Sequence, residues 1–462
     1  MSTAPDRRTH ARAVAPGSPF ARSRPGVAAL AALTVSAAVA ACGGGFDAPD
    51  PSAIERAYVE EVLTTLASDD MRGRSAFSED AMRAARYLAA EYEAAGLSPM
   101  PGADGFLQTF TVRSVATGEA SVTLGGTDLA ADRFVVRSSQ PSLAWSTGQV
   151  PVVVVGADAP PQAVQQAVVG ALQGDADALV FVHPDHAAVF GQLRGFLARP
   201  LRVLASTPGP SVAVALADAA ADASFEVRAT ATTTEETLAN VAGMLPGVRT
   251  DEYVLFSAHY DHVGVRSGVQ GDSIANGAND NASGTAAVTA LARYYADRGT
   301  PERTLLFAAF TAEEAGGYGS RYYSQQLDPD QIVAMFNIEM IGKPAVEGPN
   351  TAWITGFDRS SFGPLLQEAV AGTEYEFYPD PYPDQNLFYR SDNATLARLG
   401  VPAHSISTTP IDVDPDYHQV TDHVETLDLD HLTNTVRAIA MGAETMVAGE
   451  ATPTRVDPAT VN

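Results

Sequence analysis

The chain has 462 residues, too many for a single hydrophobic core, so the sequence predicts two compact units with further segments at the ends. Hydrophobic residues make up 45% and charged residues 18% of the chain, which excludes a coiled coil, a collagen-like fibre and a fully disordered protein. The chain has 29 Lys and Arg residues against 55 Asp and Glu residues, a formal charge of -26, so we expect no nucleic acid among its partners.

The first 41 residues have the features of a lipoprotein signal peptide. Several arginines precede an uncharged run, Gly26–Ala41, whose length suits a signal sequence better than a membrane span. The run ends in Val39–Cys42, which resembles the site at which bacterial lipoproteins are cleaved and lipidated on the cysteine. We therefore expect a signal peptide over 1–41, a lipid anchor at Cys42 and a flexible tether over 42–50. The protein would then lie in the cell envelope, facing the periplasm or the exterior; plain secretion is the alternative.

Two helices are predicted for the segment 51–113. Apolar side chains recur at helical spacing from Ile54 to Leu66. A second helix is expected between Ser78, a typical N-cap, and Gly96, a typical residue just beyond a C-terminus.

The segment 114–236 has a different pattern, with short strands rich in Val and Ala and one helix between them. The clearest strands are expected at Val152–Val155, Ala178–Val182 and Ser211–Val214. We interpret this segment as a smaller α/β domain that is inserted into the first unit.

Strands and helices alternate over 237–449. The expected elements are strands at Tyr253–Ala258, Thr304–Phe310 and Ile332–Ile338 and helices at Gly284–Arg298, Ser320–Leu327 and Leu432–Met446. Such alternation predicts a mostly parallel sheet with helices on both faces, a three-layer αβα domain. Residues 450–462 are expected to be a disordered tail.

Side chains that suit a metal ion follow these strands directly. Ligands of such sheets bind at the carboxyl ends of the strands, and nitrogen and oxygen donors together suit zinc. Buried there without a partner, these groups would cost free energy, which a metal would offset. The candidates are His259, Asp261, Asp280, Glu313, Glu314, Glu339 and His418.

The motifs around these residues resemble those of metallopeptidase family twenty-eight, which includes bacterial leucyl aminopeptidases and glutamate carboxypeptidase. The matching segments are Phe256–Gly264, Gly277–Gly284, Phe310–Glu314, Ser391–Asn393, Gly400–Ala403 and Tyr417–His418. The resemblance covers roughly residues 240–449 and the helices before residue 96. The inserted segment resembles, more weakly, the protease-associated domain that this family often carries at the same place.

The resemblance implies two zinc ions bridged by Asp280. His259 and Glu339 would also hold the first ion, and Glu314 and His418 the second. The family most often has Asp where this chain has Glu339, which predicts a small shift in metal geometry.

The resemblance also implies roles for Glu313 and Asp261, and the position of Tyr417 next to His418 makes it a further candidate. Glu313 would be the general base for a water that bridges the metals, and Asp261 would accept a hydrogen bond from the ring of His259. Tyr417 would either donate a hydrogen bond to the developing oxyanion or pack as an aromatic ring over the site.

We therefore expect an exported dinuclear zinc exopeptidase that acts on peptides, with aminopeptidase activity favoured over carboxypeptidase activity. The same resemblance also allows a non-catalytic receptor-like protein or a glutaminyl-peptide cyclase. An aminopeptidase needs a carboxylate for the free amine, for which Asp384 or Asp392 is available. A carboxypeptidase needs arginines for the terminal carboxylate, for which Arg359 and Arg390 are available. The sequence does not indicate an oligomeric state.

Overall fold

The computed structural model describes residues 46–207 and 209–461, so the predicted signal peptide and Cys42 lie outside the described residues. The α-helices of the described chain are α1 Arg56–Leu66, α2 Glu79–Ala94, α3 Pro161–Gln173, α4 Ala187–Leu197, α5 Gly284–Asp297, α6 Tyr318–Ser324, α7 Phe362–Ala369, α8 Asn393–Ala397 and α9 Leu429–Val447. Its β-strands are β1 Ser98–Pro99, β2 Leu107–Leu124, β3 Thr127–Asp128, β4 Phe134–Arg137, β5 Ser142–Ser146, β6 Val152–Val155, β7 Ala178–Val182, β8 Leu201–Leu204, β9 Val212–Leu216, β10 Phe225–Leu245, β11 Arg249–His259, β12 Gly264–Val265, β13 Ile274–Ala275, β14 Arg303–Phe310, β15 Ile332–Ile338, β16 Thr351–Ile354, β17 Glu376–Pro379 and β18 Ala403–Ser407. Within these residues, every helix is too short or too polar to cross a bilayer.

A large mixed sheet forms the centre of the fold, with the strand order β17-β16-β18-β15-β11-β14-β10-β2-β3. The four strands β14, β11, β15 and β18 run parallel to one another. Every residue of β14 is buried, as expected for a strand whose two faces are both covered. The carboxyl ends of β11, β14 and β15 therefore meet at one edge of the sheet.

Helices cover both faces of this sheet. Side chains of α1, α2, α5, α7 and α9 pack on one face, in the core that includes Phe256 and Phe307. Tyr323 of α6 and Leu396 of α8 pack on the other face against Leu255. The predicted three-layer αβα architecture is confirmed.

The predicted N-terminal helix signals are also found. The hydroxyl of Ser78 accepts hydrogen bonds from the backbone N–H groups of Asp80 and Ala81 at the start of α2. Gly96 follows the end of α2 with a φ of 78°, a left-handed conformation that glycine adopts at little cost.

A second, four-stranded sheet lies within the segment predicted to be an inserted domain. Its strand order is β4-β9-β7-β6, and α3 and α4 pack against it. The long antiparallel strands β2 and β10 run past both predicted boundaries. The consecutive pairs Arg113–Glu235 and Ser114–Thr234 cross the first boundary, and Val112–Glu236 and Thr111–Thr237 cross the second. That 114–236 is a separable domain stays a prediction, and the ladder shows that neither boundary lies in a loop.

The C-terminal residues differ from the expected disordered tail. Val456 is buried at 1% exposure among side chains of the α6–α8 face. The guanidinium of Arg303 donates to the carbonyl of Ala451 at 2.6 Å, and that of Arg455 donates to the carbonyl of Ile332 at 2.9 Å. The segment instead supplies acceptors that the buried Arg303 of β14 needs.

The end of the predicted tether is likewise packed. The ring of Phe46 stacks on Tyr295 with centroids 6.4 Å apart, and Arg298 donates through Nη2 to the carbonyl of Asp47 at 2.8 Å. The expected flexible tether over 42–50 is therefore wrong for residues 46–50.

Candidate metal centre

The predicted metal ligands come together at the carboxyl edge of the large sheet. His259 is the last residue of β11 and Glu339 directly follows β15. Glu314 follows β14, Asp280 lies in the turn before α5, and His418 lies in the loop between β18 and α9. Five segments distant in sequence thus place five donor side chains at one point.

The first group of donors is formed by His259, Asp280 and Glu339. Nε2 of His259 lies 2.9 Å from Oε1 of Glu339 and 3.3 Å from Oδ1 of Asp280. The other carboxylate oxygen of Glu339 accepts a hydrogen bond of 2.6 Å from the hydroxyl of Ser391. The glutamate in place of the family's usual aspartate thus still reaches the imidazole.

The second group of donors shares Asp280 with the first. Nε2 of His418 lies 3.0 Å from Oδ2 of Asp280 and 3.1 Å from Oε2 of Glu314. Nδ1 of His262 lies 3.0 Å from Oε1 of Glu314 and 3.9 Å from Oδ2 of Asp280. Because its two oxygens face different groups, Asp280 has the disposition of a bridging ligand.

These groups fit metal ions by their chemistry and their burial. His259, Asp280 and Glu339 form one set of ligand atoms within 4.8 Å of one another, and His262, Asp280 and Glu314 form another. Imidazole and carboxylate donors of this kind suit zinc. Burial acts to lower the pKa of His259, but Glu339 and Asp280 outweigh it and hold that pKa well above its usual value. The centre therefore concentrates negative charge around its imidazoles, as a cation site does.

Glu313 and Glu314 have different surroundings although they are adjacent. Glu314 contacts two imidazoles, whereas the carboxylate of Glu313 makes no hydrogen bond or ion pair with another residue of the described chain. Burial raises the pKa of Glu313 well above its usual value; His259 opposes this rise, and Asp392 adds to it. Glu313 is thus a carboxylate at the site with a high proton affinity and no protein partner.

The predicted contact between Asp261 and His259 needs a correction. Nδ1 of His259 lies 3.1 Å from the backbone carbonyl oxygen of Asp261 and 3.7 Å from its carboxylate. The backbone carbonyl is therefore the acceptor for the ring, because the carboxylate lies beyond hydrogen-bond distance. The carboxylate instead accepts a hydrogen bond of 3.1 Å from the backbone N–H of Glu313.

A cavity of about 290 Å³ opens beside the two donor groups. Glu313 and Tyr417 line it, and the ring of Tyr417 stacks on His418 with centroids 4.0 Å apart. Both roles expected for Tyr417 therefore remain open, since its ring packs on a predicted ligand while the side chain borders the cavity. The apolar part of the wall is formed by Met340, Trp353, Leu387 and Ile411.

Only two of the four further candidates for substrate binding lie near the centre. Arg390 lines the cavity, and Asp392 is buried at 2% exposure beside Ser391. Asp384 is exposed and is not part of the cavity wall. Arg359 is engaged elsewhere, since it donates to the backbone carbonyl of Thr460 at 2.9 Å.

Sequence reasoning assigned no role to three residues that support the centre. His262 stands in the motif of His259, and only its burial against Glu314 reveals its part in the site. Asp422 accepts hydrogen bonds from the backbone N–H groups of Asn279 and Asp280 at 2.9 and 3.1 Å. It thereby fixes the backbone of the bridging candidate.

The third unassigned residue is Arg74, which is fully buried. Its guanidinium donates to the backbone carbonyls of Tyr260 at 2.6 Å, Asn276 at 2.6 Å and Gly277 at 2.9 Å. It therefore joins the turn that carries His259 to the turn that carries Asp280. No spacing rule links residue 74 to either turn, so the sequence held no usable signal for it.

The part of the chain that carries the centre is similar in sequence to known proteins. Residues 240–443 match the family described as Peptidase family M28. The chain is 29% identical over 212 residues to leucine aminopeptidase 1 of Trichophyton rubrum, covering 43% of this chain and 56% of the relative. It is 34% identical over 140 residues to a probable zinc metalloprotease of Pyricularia oryzae, covering 29% of this chain and 26% of the relative. The chain thus spans little more than half the length of the first of these relatives.

Comparison with solved structures finds the same fold at lower sequence identity. An aminopeptidase from Aneurinibacillus sp. strain AM-1 superposes with a TM-score of 0.52 at 17% identity, covering 89% of this chain and 97% of that protein. A zinc aminopeptidase from Bacillus subtilis superposes with a TM-score of 0.51 at 17% identity, covering 86% and 97%. Both matches extend well beyond residues 240–443, so the shared architecture includes more than the segment recognised by sequence.

Proposed function

Since residues 240–443 match peptidase family M28, we propose that the chain is an exported zinc exopeptidase of this family with two metal ions, acting as an aminopeptidase. The observation that carries this proposal is the position of Asp280, whose two oxygens face His259 and His418 separately at 3.3 and 3.0 Å. If Asp280 only formed an ion pair with one histidine, its second oxygen would not need to face a separate group of donors.

The two ions would be held by the two groups of donors described above. His259, Asp280 and Glu339 would hold the first. Asp280, Glu314 and His418 would hold the second, with His262 beside Glu314. When bound, zinc in such a pair polarises the scissile carbonyl and makes a water more acidic.

Glu313 is the side chain placed to move the proton. Its carboxylate borders the cavity and is free of protein partners in the described chain, while Asp261 fixes its backbone at 3.1 Å. It can accept the proton of the attacking water and return it to the leaving amine.

Further side chains of the cavity would act on the substrate. Tyr417, held by its stacking on His418, is placed to donate a hydrogen bond to the oxygen of the scissile carbonyl as negative charge develops there. The apolar wall that includes Trp353 and Ile411 would receive an aliphatic side chain. This agrees with the leucine specificity stated in the names of the relatives from Trichophyton.

Arg390 favours a second candidate function, a carboxypeptidase. The guanidinium is 3.4 Å from the hydroxyl of Tyr417, and among the described residues no carboxylate lies within ion-pair distance of it. An arginine in that position could bind the terminal carboxylate of a peptide. Aminopeptidase activity remains the favoured proposal because the relatives from Trichophyton are named leucine aminopeptidases.

The deciding experiment uses one leucyl tripeptide in three forms, with free ends, with an acetylated amine and with an amidated carboxylate. We expect the free and amidated peptides to release leucine and the acetylated peptide to remain intact. A chelator should abolish this activity and zinc should restore it. Cleavage of the acetylated peptide but not of the amidated one would establish the carboxypeptidase instead. Binding of zinc without cleavage of any form would indicate the receptor-like relative.

The variant Arg390→Gln completes this test. For an aminopeptidase it should change the KM of the free and amidated peptides equally, whereas for a carboxypeptidase it should raise KM only for the free carboxylate. Arg359→Gln is the matched control, because Arg359 is bound to Thr460 and lies outside the cavity wall.

A further inference from the structure

Lys343, the only lysine of the chain, joins the two halves of the candidate metal centre. It stands four residues after Glu339, and its side chain contacts Asp414 and Asp416, four and two residues before His418. We propose that Lys343 is a positioning residue that sets the loop of Tyr417 and His418 relative to the first group of donors. This inference rests on the proposed two-metal function.

The contacts of Lys343 are close and largely withdrawn from solvent. Nζ lies 2.5 Å from Oδ1 of Asp414 and 2.8 Å from Oδ2 of Asp416. The side chains of Lys343, Asp414 and Asp416 are 15%, 1% and 17% exposed, so water screens the two ion pairs only weakly. Burial acts to lower the pKa of Lys343, but its hydrogen bonds to the two aspartates outweigh this and raise it, so the ammonium stays charged.

The backbone on the lysine side is also fixed. The carbonyl oxygen of Lys343 accepts a hydrogen bond of 2.7 Å from the hydroxyl of Thr408. Three residues earlier, the carbonyl oxygen of Met340 accepts from the hydroxyl of Thr409 at 2.7 Å. The backbone after Glu339 is therefore fixed by hydrogen bonds, and the side chain of Lys343 extends from it to the loop.

The loop that carries Asp414, Asp416 and His418 contains a strained residue, so it needs contacts that hold it in place. His418 has a φ of 58°, a left-handed conformation that is unfavourable for a residue other than glycine. Its carbonyl oxygen accepts a hydrogen bond from Arg266, and Asp416 accepts another from the hydroxyl of Thr421 at 2.6 Å. Without the lysine, the carboxylates of Asp414 and Asp416 would repel each other next to a strained residue.

The consequence is specific to one of the two proposed ions. His259 and Glu339 are held by β11 and β15 and by contacts that do not include Lys343. His418 depends on the loop, so loss of the lysine should displace this donor of the second ion and leave the donors of the first ion, including the shared Asp280, in place. A salt bridge that merely stabilises the fold would not make this distinction.

Metal titration tests this distinction without a substrate. Wild type should bind two zinc ions, whereas Lys343→Met should bind the first with unchanged affinity and the second about 10- to 100-fold more weakly, the range typical for groups that orient metal ligands. Lys343→Arg should restore most of the affinity for the second ion, because it keeps the charge. Asp416→Asn carries the same test if Lys343→Met does not fold.

Arg298→Met is the matched control. Arg298 forms a comparably buried ion pair with Glu444 at 2.8 Å, between α5 and α9 rather than at the centre. This variant should lose thermal stability and still bind two ions normally. Wild-type affinity for both ions in Lys343→Met would overturn the proposal. A loss of affinity for the second ion in Arg298→Met as large as that in Lys343→Met would also overturn it. Fewer than two ions on wild type would contradict the two-metal function itself.

Chemical labelling gives a second measurement, because a single lysine can be followed unambiguously. In the native protein, acetylation with an amine reagent should spare Lys343, since its ammonium is paired and has a raised pKa. After denaturation the peptide that contains Lys343 should be acetylated completely. Complete labelling of the native protein at the same rate would show that the contacts do not persist, and would also overturn the proposal.

Discussion

Nδ1 of His262 lies 3.0 Å from Oε1 of Glu314, and the ring is completely buried. Its other nitrogen, Nε2, makes no hydrogen bond within the described residues. The ring packs against Gly277, where an added Cβ would lie 2.5 Å from its Cγ atom. His262 is therefore placed to orient Glu314 for the second proposed ion, in a space that only glycine leaves open.

The first prediction follows from that contact. His262→Leu should weaken the binding of the second zinc ion about 10- to 100-fold, because Glu314 loses the donor that orients it. His262→Asn should retain more of the affinity, since its amide nitrogen lies close to the position of Nδ1. Isothermal titration with zinc measures both variants. Equal affinities in wild type and His262→Leu would show that the ring merely fills space.

The second prediction separates the two adjacent glutamates. Glu313→Gln should lower kcat by about 10²- to 10⁴-fold with both zinc ions still bound and KM little changed, because a general base has been removed. Glu314→Gln should lose zinc as well as activity, because a charged ligand has been replaced by an amide. Metal analysis beside steady-state kinetics measures both.

The outcome that would contradict this division is also clear. Near-normal turnover in Glu313→Gln would exclude it as the base. Loss of zinc from Glu313→Gln as severe as from Glu314→Gln would place it among the ligands. The structure favours the division, since Glu314 contacts two imidazoles and Glu313 contacts none.

The parts of the fold that the sequence predicted well are those with strong local signals. Ile332–Ile338 is found with the bounds expected from its apolar run, and α2 begins after the expected cap at Ser78. The five predicted metal ligands meet because each directly follows or adjoins an element of a parallel sheet, a rule that needs no distances.

The parts that sequence could not supply depend on contacts between remote segments. Arg74 supports the centre through backbone carbonyls, which leave no trace in residue types. The acceptor of His259 is a backbone oxygen rather than the carboxylate of Asp261, a difference that only the path of the turn decides. The C-terminal residues were expected to be disordered, but they pack because the buried Arg303, remote in sequence, donates to them.

A third prediction concerns acid stability and His404. The ring is buried and stacks on Phe362, with Nδ1 2.8 Å from the carbonyl of Thr355 and Nε2 2.7 Å from the hydroxyl of Ser360. This pattern satisfies the neutral ring, and burial lowers the pKa of His404 to about 4. In the unfolded chain the pKa is about 6.5, so as pH falls below that value only the unfolded state gains a proton.

The free energy of unfolding should therefore fall with pH between about 6.5 and 4, by about 2 kcal/mol from this residue between pH 7 and pH 5. His404→Gln removes the titration, so its loss of stability over the same interval should be smaller by that amount. Denaturant unfolding of both proteins at the two pH values measures this, and other titrating groups cancel in the comparison. The same pH dependence in both proteins would show that His404 titrates normally in the fold.

A fourth prediction concerns the location of the protein. If Cys42 carries a lipid, Cys42→Ala expressed in a bacterium should move from the membrane fraction to the soluble fraction. Cell fractionation with an antibody against the protein measures this. Wild type and variant in the same fraction would argue for plain secretion.

The packing of residues 450–461 has a practical consequence for anyone who shortens this chain. The family match ends at residue 443, which invites truncation there. Arg303, 2% exposed, would then keep its charge in the interior without the acceptors at Ala451 and Thr452. The apolar cluster that includes Val456 would also be opened to water. The stretch that similarity detects is shorter than the stretch that folds, and a trimmed protein should be expected to aggregate before its chemistry can be assayed.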